Sequence, residues 1–328
     1  MPAAKLYIRE MAAAVSRASK NSRPISIDPP LREEIEQWRF IDSNVKWLPW
    51  RAEKHIKVTL STDSSTFAWG AVVGQQKITD MWPANDKRPI HIKEAHALLK
   101  TLQAVGPTME NSRIDAMVDN MAVVHAWSRE GSKDTSLNSI LKQMTSLMIQ
   151  LNCDLSLTYI PSAQNPADEP SRKLSPSDAM LTPEVWESLQ NSYGPHSFDL
   201  MALDSNAPSD RHGKPLPHFS PYPLPNSAGV NIFSQNLSSE ENYYCFPPIC
   251  MCGSVLKFLL EQTEVRPLRV TLVVAKMASV STWWPLLQSV ATLAPLARKG
   301  DFAVMMPSKK GYTRRQIAFD LFAARLSL

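Results

Sequence analysis

The segment LSTDSSTFAWGAVV, residues 60–73, constrains this chain more than any other, because it sets one carboxylate where a strand ends. Val58, Leu60 and Thr62 alternate with Lys57, Thr59 and Ser61, the two-residue period of a half-buried strand. Ser64, Ser65 and Thr66 supply a turn, and Trp69, Ala71 and Val73 continue as an apolar partner strand. Asp63 closes the first of the two strands. An unpaired carboxylate is costly to bury, so Asp63 calls for a cation.

Residues 55–172 extend this hairpin into one α/β unit. QQKITDMW gives a third strand, and Ile90 to Val105 repeats apolar residues at helical spacing, with Glu94 expected in the first turn. RIDAMVDN reads as a fourth strand with Ile114, Ala116 and Val118 on one face and Asp119 at its end. MAVVHAWSRE is a short helix. The stripe from Leu137 through Met144 to Leu151 makes the clearest helix of the chain. CDLSLTYIP is a fifth strand, with Leu155, Leu157 and Tyr159 on one side. Asn165-Pro166-Ala167-Asp168 opens a last helix, with proline near its start.

Asp63, Glu94, Asp119 and Asp168 thus all fall at element boundaries. Neighbouring strand ends converge in a mixed sheet, so Asp63 and Asp119 can face each other, with Glu94 and Asp168 delivered by helices. Four carboxylates in one place repel unless divalent cations join them. Mg²⁺ suits an all-oxygen, part-open site. Two such ions about 3.5–4 Å apart clamp both the attacking and the leaving oxygen of a phosphodiester. The bland alternative is four solvated surface acids among 31.

These residues resemble the RNase H domain of a retroelement reverse transcriptase. The resemblance is carried by TDSS, IKEAHALL, VDNMAVVHAW and IPSAQNPADEPSR, with the four acids 31, 25 and 49 residues apart. The wording IPxxxNxxAD–xxSR with TDSSxxxWGAV is most similar to DIRS-type retrotransposons, with gypsy-like elements second. The resemblance implies an RNase H-like mixed five-stranded sheet with flanking helices over residues 53–173. It implies Mg²⁺-dependent cleavage of the RNA strand of an RNA–DNA hybrid, with Mn²⁺ as the alternate ion. Asp63, Glu94, Asp119 and Asp168 would be both the catalytic and the metal-holding residues. Ser64, Asn120 and Asn165 are the polar residues beside them for the ribose 2′-hydroxyl, the group that separates RNA from DNA. Lys93 and Arg172 are the cations nearest in sequence for backbone phosphates. Many members carry a histidine in the loop before the last aspartate, where this chain has PSAQNPAD; His91 and His96 flank Glu94 instead.

Residues 1–52 are similar to the tail of the reverse-transcriptase thumb and connection, with a helix around Leu6, Met11 and Val15 and another over LREEIEQWRFID. The abrupt start reads as a cut from a longer polypeptide. No YxDD motif occurs, so the expected partner is the polymerase domain of the same polyprotein. Residues 174–328 form a second, smaller α/β domain. It bears a fainter resemblance to phage-type DNA adenine methyltransferases, carried by the segment Phe198-Asp199-Leu200-Met201-Ala202 and by Phe246-Pro247-Pro248-Ile249. The family's strand-end aspartate holds S-adenosylmethionine, and its Asn/Asp-Pro-Pro-Tyr/Trp motif grips a flipped base. Phe246 and Ile249 replace the polar and stacking residues of that motif, which implies a methyltransferase-like fold without activity and with a structural or template-binding role; no cofactor-binding residue is assigned.

Composition limits the rest. The net charge of +4 permits a nucleic-acid partner without demonstrating one. Three of the four cysteines, Cys245, Cys250 and Cys252, cluster without a paired CxxC or histidine partners, which argues against zinc. No run approaches the ~20 apolar residues of a membrane span. Arg9, Glu10 and Arg17 break any signal-peptide core. The expected setting is intracellular, cytoplasmic or nuclear, with no membrane partner.

Overall fold

A computed structural model describes residues 4–21, 24–44, 56–276 and 282–327. The expected boundary between residues 52 and 53 lies outside the described residues. The chain divides into two compact units, residues 1–79 with 87–172, and residues 80–86 with 173–328.

In the first unit the strands are β1 (Lys57–Ser64), β2 (Ala68–Val73), β3 (Gln76–Met81), β4 (Arg113–Val118) and β5 (Asp154–Tyr159). The helices are α1 (Arg9–Asn21), α2 (Pro29–Asn44), α3 (Ile90–Val105), α4 (Met121–Ser128), α5 (Thr135–Gln150) and α6 (Asp168–Arg172). The sheet order is β3-β2-β1-β4-β5. β1 runs antiparallel to β2 and parallel to β4, which is itself parallel to β5. An antiparallel meander followed by two parallel crossovers, with helices packed on the sheet, is the RNase H-like fold.

β4 keeps the expected alternation, with Ile114, Ala116 and Val118 fully buried. β1 does not. Leu60, Ser61, Thr62, Asp63 and Ser64 are all buried, so both faces of this central strand are covered. α3 and α6 both pack on it. Asp63 therefore sits deeper than a half-buried strand would put it. The core around it gathers Trp69, Ile78, Leu98, Leu102, Ile114, Leu141 and Met144, each worth about 1.5–3 kcal/mol of burial. At the sheet edge, Tyr159 of β5 is exposed rather than inward.

The N-terminal helices belong to this same unit. Val15 is exposed, while Leu6 and Tyr7, in a 3₁₀ turn before α1, are buried instead. Glu34 of α2 is fully buried, and its carboxylate accepts the Glu10 and Met11 amides at 2.9 and 3.1 Å. A carboxylate at the first turn of α1 satisfies amides that have no helical partner. The Tyr7 hydroxyl donates to the Lys142 carbonyl of α5 at 3.0 Å, and the Trp38 indole to the Tyr7 carbonyl at 2.6 Å.

The second unit contains β6 (Met180–Leu181), α7 (Pro183–Tyr193), β7 (Phe198–Asp199), β8 (Phe219–Ser220), β9 (Gly229–Val230), β10 (Asn242–Cys245) and α8 (Cys252–Thr263). It continues with β11 (Arg269–Lys276), α9 (Trp284–Val290), β12 (Thr292–Ala297), β13 (Val304–Ser308), β14 (Gly311–Arg315) and β15 (Asp320–Ser327). Its main sheet has the order β12-β15-β11-β10-β7. β7, β10 and β11 are parallel, and β15 runs antiparallel to both β11 and β12. β11 is covered on both faces. Val270, Leu272 and Val274 point into one apolar cluster, and Val273 and Ala275 into another. That explains its unbroken apolar run. The apolar run WWPLLQSVATL is split: α9 ends at Val290, and Thr292 and Leu293 begin β12. Trp283 and Trp284 pack against the first of these clusters. Among the described residues no helix is long and apolar enough to cross a membrane.

Candidate active site

Register brings the acids together. β1 pairs with β4 so that Thr62 lies opposite Val118, and the next residue on each strand is an aspartate, Asp63 and Asp119. Glu94 comes from α3, one turn further in than expected, because the helix starts at Ile90 with no acid in its first turn. One carboxylate oxygen from each of Asp63, Glu94 and Asp119 lies within 4.8 Å of the others, the sole such group among the described residues. Asp168 opens α6 outside this trio. Its side chain is 36% exposed and its Oδ1 accepts the Arg172 Nε–H at 2.8 Å.

The trio is held against its own electrostatics. Burial, with repulsion from Asp119 and Asp168, pushes the Asp63 carboxyl up to about 6 despite a hydrogen bond from Ser171. Burial, with Asp119 and Asp63, pushes Glu94 up to about 9. Glu94 Oε2 is buried with no hydrogen-bond partner. A buried carboxylate oxygen left unsatisfied costs several kcal/mol unless a cation takes it. An all-oxygen donor set with that orphaned atom fits a hard divalent ion such as Mg²⁺.

The surrounding residues fix the acids rather than add charge. Asn165 is buried and committed at both ends: its Nδ2 donates to the Thr62 carbonyl at 2.9 Å, and its Oδ1 accepts the Ala167 amide at 3.1 Å. It ties the loop before α6 to the end of β1. Asn120 caps α4, accepting the Ala122 and Val123 amides at 3.0 and 3.4 Å. Ser64 is buried, and its hydroxyl donates to the Ser65 carbonyl at 3.2 Å. Lys93 is also buried, its ammonium bonded to the Thr66 carbonyl at 2.7 Å, so it braces the β1–β2 turn. His91 pairs with Asp134, the N-cap of α5, at 3.0 Å.

Sequence reasoning missed the devices that seat α6. The Ser171 hydroxyl donates to Asp63 Oδ2, and the Ser171 carbonyl accepts Ser65 Oγ–H at 2.7 Å. Thr79 Oγ1 donates to the Pro170 carbonyl at 2.7 Å, and Lys77 pairs with Glu169. Gly70 makes the approach feasible. A Cβ there would stand 2.4 Å from the Ser171 nitrogen. The paired serines of TDSS and the glycine of AWG are the signals that carried this information.

In the second unit, Tyr244 of β10 lies opposite Asp199 of β7, so Asp199 and Phe246-Pro247-Pro248 adjoin at the strand ends. A cavity of about 650 Å³ there is lined by Trp186, Asp199, Tyr244 and Phe246 among others. Asp199 is buried beside His218. Its Oδ1 accepts the Met201 amide at 2.9 Å, and burial pushes its carboxyl up to about 7.

Residues 48–198, under half of the chain, match the family profile of the viral DNA polymerase C-terminal domain. Among solved structures, the chain is similar to the N-terminal RNase H domain of a Mycobacterium tuberculosis protein, solved as a fusion with maltose binding protein. That match has 20% identity and a TM-score of 0.30, over 34% of this chain and 88% of that one. It is also similar to LC11-RNase H1 in complex with an RNA/DNA hybrid, at 17% identity and a TM-score of 0.30, over 34% of this chain and 92% of that one. The prototype foamy virus protease–reverse transcriptase shares 14% identity at a TM-score of 0.23, over 55% of this chain and 26% of that one. No curated protein matches the chain.

Proposed function

We propose that residues 53–173 form the RNase H domain of a retroelement reverse transcriptase and hydrolyse the RNA strand of RNA–DNA hybrids. The observation that carries this reading is the trio Asp63, Glu94 and Asp119, the first two buried and the third part-exposed, together with a buried Glu94 Oε2 that has no hydrogen-bond partner. The match of residues 48–198 to the viral polymerase C-terminal domain supports the retroelement setting, with the polymerase domain as partner.

Asp63, Glu94, Asp119 and Asp168 would hold Mg²⁺ or Mn²⁺. Divalent ions supply Lewis-acid stabilisation of the phosphodiester and a nucleophilic water at neutral pH. The protein's part is to hold the carboxylates rigidly and dry. Asp63 and Asp119 stand on adjacent central strands, Glu94 on a packed helix, and Asp168 on a helix pinned to β2. Asp119 and Asp168 are the part-exposed acids, and through them substrate would reach the site. Asn120 uses its oxygen as a helix cap, which leaves its amide group to donate to a ribose hydroxyl. Asn165 and Ser64 serve the substrate by shaping the loop ends. Arg172 stands at the rim with 57% of its side chain exposed, where a phosphate can reach it.

The pairing of Tyr244 with Asp199 at the strand ends supports reading residues 174–328 as methyltransferase-like, but Phe246 offers no acceptor to an adenine amino group. We read them as a catalytically silent domain. The alternative for the whole chain is a non-catalytic nucleic-acid-binding module. Labelled RNA–DNA, DNA–DNA and RNA–RNA duplexes of one sequence separate the two. The nuclease reading expects RNA-strand cuts in the hybrid alone. Tight hybrid binding with no cut in Mg²⁺ or Mn²⁺ would establish the binding module instead.

A further inference from the structure

Ser171 stands apart from the other groups around the site. It is fully buried, and its hydroxyl donates to a carboxylate of the trio. We propose that Ser171 is a positioning residue that fixes the Asp63 carboxylate for metal, through its hydrogen bond to Oδ2. This rests on the nuclease reading of the same site.

The hydroxyl carries one proton and has two acceptors in reach, Asp63 Oδ2 and the Asp168 carbonyl at 2.9 Å. An ionised carboxylate is the stronger acceptor, so the proton goes to Asp63. That bond occupies one lone pair of Oδ2 and stops rotation of the carboxylate about its Cβ–Cγ bond. Oδ1 is then presented in a fixed direction. The donor is itself immobile. The Ser171 amide donates to the Ala167 carbonyl at 3.1 Å, its carbonyl accepts Ser65 Oγ–H, and Gly70 lies against its nitrogen. Ser171 also shares a five-residue helix with Asp168. One short element thus supplies the fourth acid and orients the first, so the two cannot drift apart independently. Such outer partners of metal-holding residues are worth about 10–100-fold in metal affinity or activity.

The test measures Mn²⁺ binding by calorimetry and hybrid cleavage on the full chain. It uses wild type, Ser171→Ala and Ser65→Ala. Ser65→Ala removes another tie to α6, the bond to the Ser171 carbonyl, without touching a carboxylate. The proposal expects Ser171→Ala to weaken Mn²⁺ binding and lower kcat about 10-fold or more, with KM for the hybrid within about twofold. Ser65→Ala should lower the melting temperature yet keep Mn²⁺ affinity within about twofold. Equal losses of affinity in both variants would reduce Ser171 to a structural tie. Unchanged affinity and kcat in Ser171→Ala, with wild type active, would overturn this proposal alone. A wild type that neither binds Mn²⁺ nor cuts would overturn the nuclease reading and this one with it.

Discussion

Both units end a parallel strand with an aspartate beside a neighbouring strand end, yet among the described residues only one gathers a cluster of carboxylates. Asp63 meets Asp119 and Glu94 within 4.8 Å, and a Glu94 oxygen stays unsatisfied. Asp199 shares a cavity with Phe246 and is answered by a backbone amide and the nearby His218. The fold places the acid in both cases; the neighbours decide its chemistry. A single buried carboxyl can be neutralised by keeping its proton. Three carboxyls together store a repulsion that a divalent ion relieves.

The sharpest way to break this contrast is Glu94→Gln. It removes a carboxyl that can ionise to hold metal, so hybrid cleavage should fall about 10³-fold, the several kcal/mol expected of metal-held transition-state charge. The metal-free protein should meanwhile melt higher than wild type. Asp199→Asn should leave the Mg²⁺-induced rise in melting temperature intact; a rise lost in that variant would place metal in the second unit.

The pH dependence of metal-free stability sharpens the same point. The unfolded carboxyls ionise near 4, whereas folded Asp63 and Glu94 hold their protons to about 6 and about 9. The folded state therefore binds more protons over that interval. Their contribution is fully present below pH 4 and is lost as pH rises through 6 and on toward 9. In EDTA the melting temperature of the first unit should fall across that range, and Mg²⁺ should flatten the fall by displacing those protons. A flat profile in EDTA would contradict the stored repulsion.

Smaller effects test the scaffold. Gly70→Ala drives a methyl into the Ser171 and Pro170 backbone and should cost about 1–3 kcal/mol in chemical denaturation. Arg172→Gln removes an exposed ion pair one helical turn long. It should cost about 0.3–0.5 kcal/mol, so a larger loss would mean that Arg172 does more than pair with Asp168.

The acids were legible because strand ends are legible. Asp63 and Asp119 follow runs whose periods mark β1 and β4, and the spacing to Glu94 and Asp168 places the helices. What stayed hidden was tertiary. Nothing in PADEPSR alone says that Ser171 points at Asp63, or that Gly70 exists to let it approach. Asn165, expected at the substrate, turns out to spend both polar ends on the backbone. β12 was masked by the apolar run that precedes it, and β14, GYTRR, is too short and charged to announce a strand.

The central claim is that a divalent ion on these carboxylates cuts RNA in a hybrid. One measurement tests it directly: cleavage of a hybrid labelled on the RNA strand, with Mg²⁺, with EDTA, and with Asp119→Asn in Mg²⁺. The account predicts RNA cuts in the first case and none in the other two. Cleavage that survives EDTA, or that persists at wild-type rate in Asp119→Asn, would contradict it.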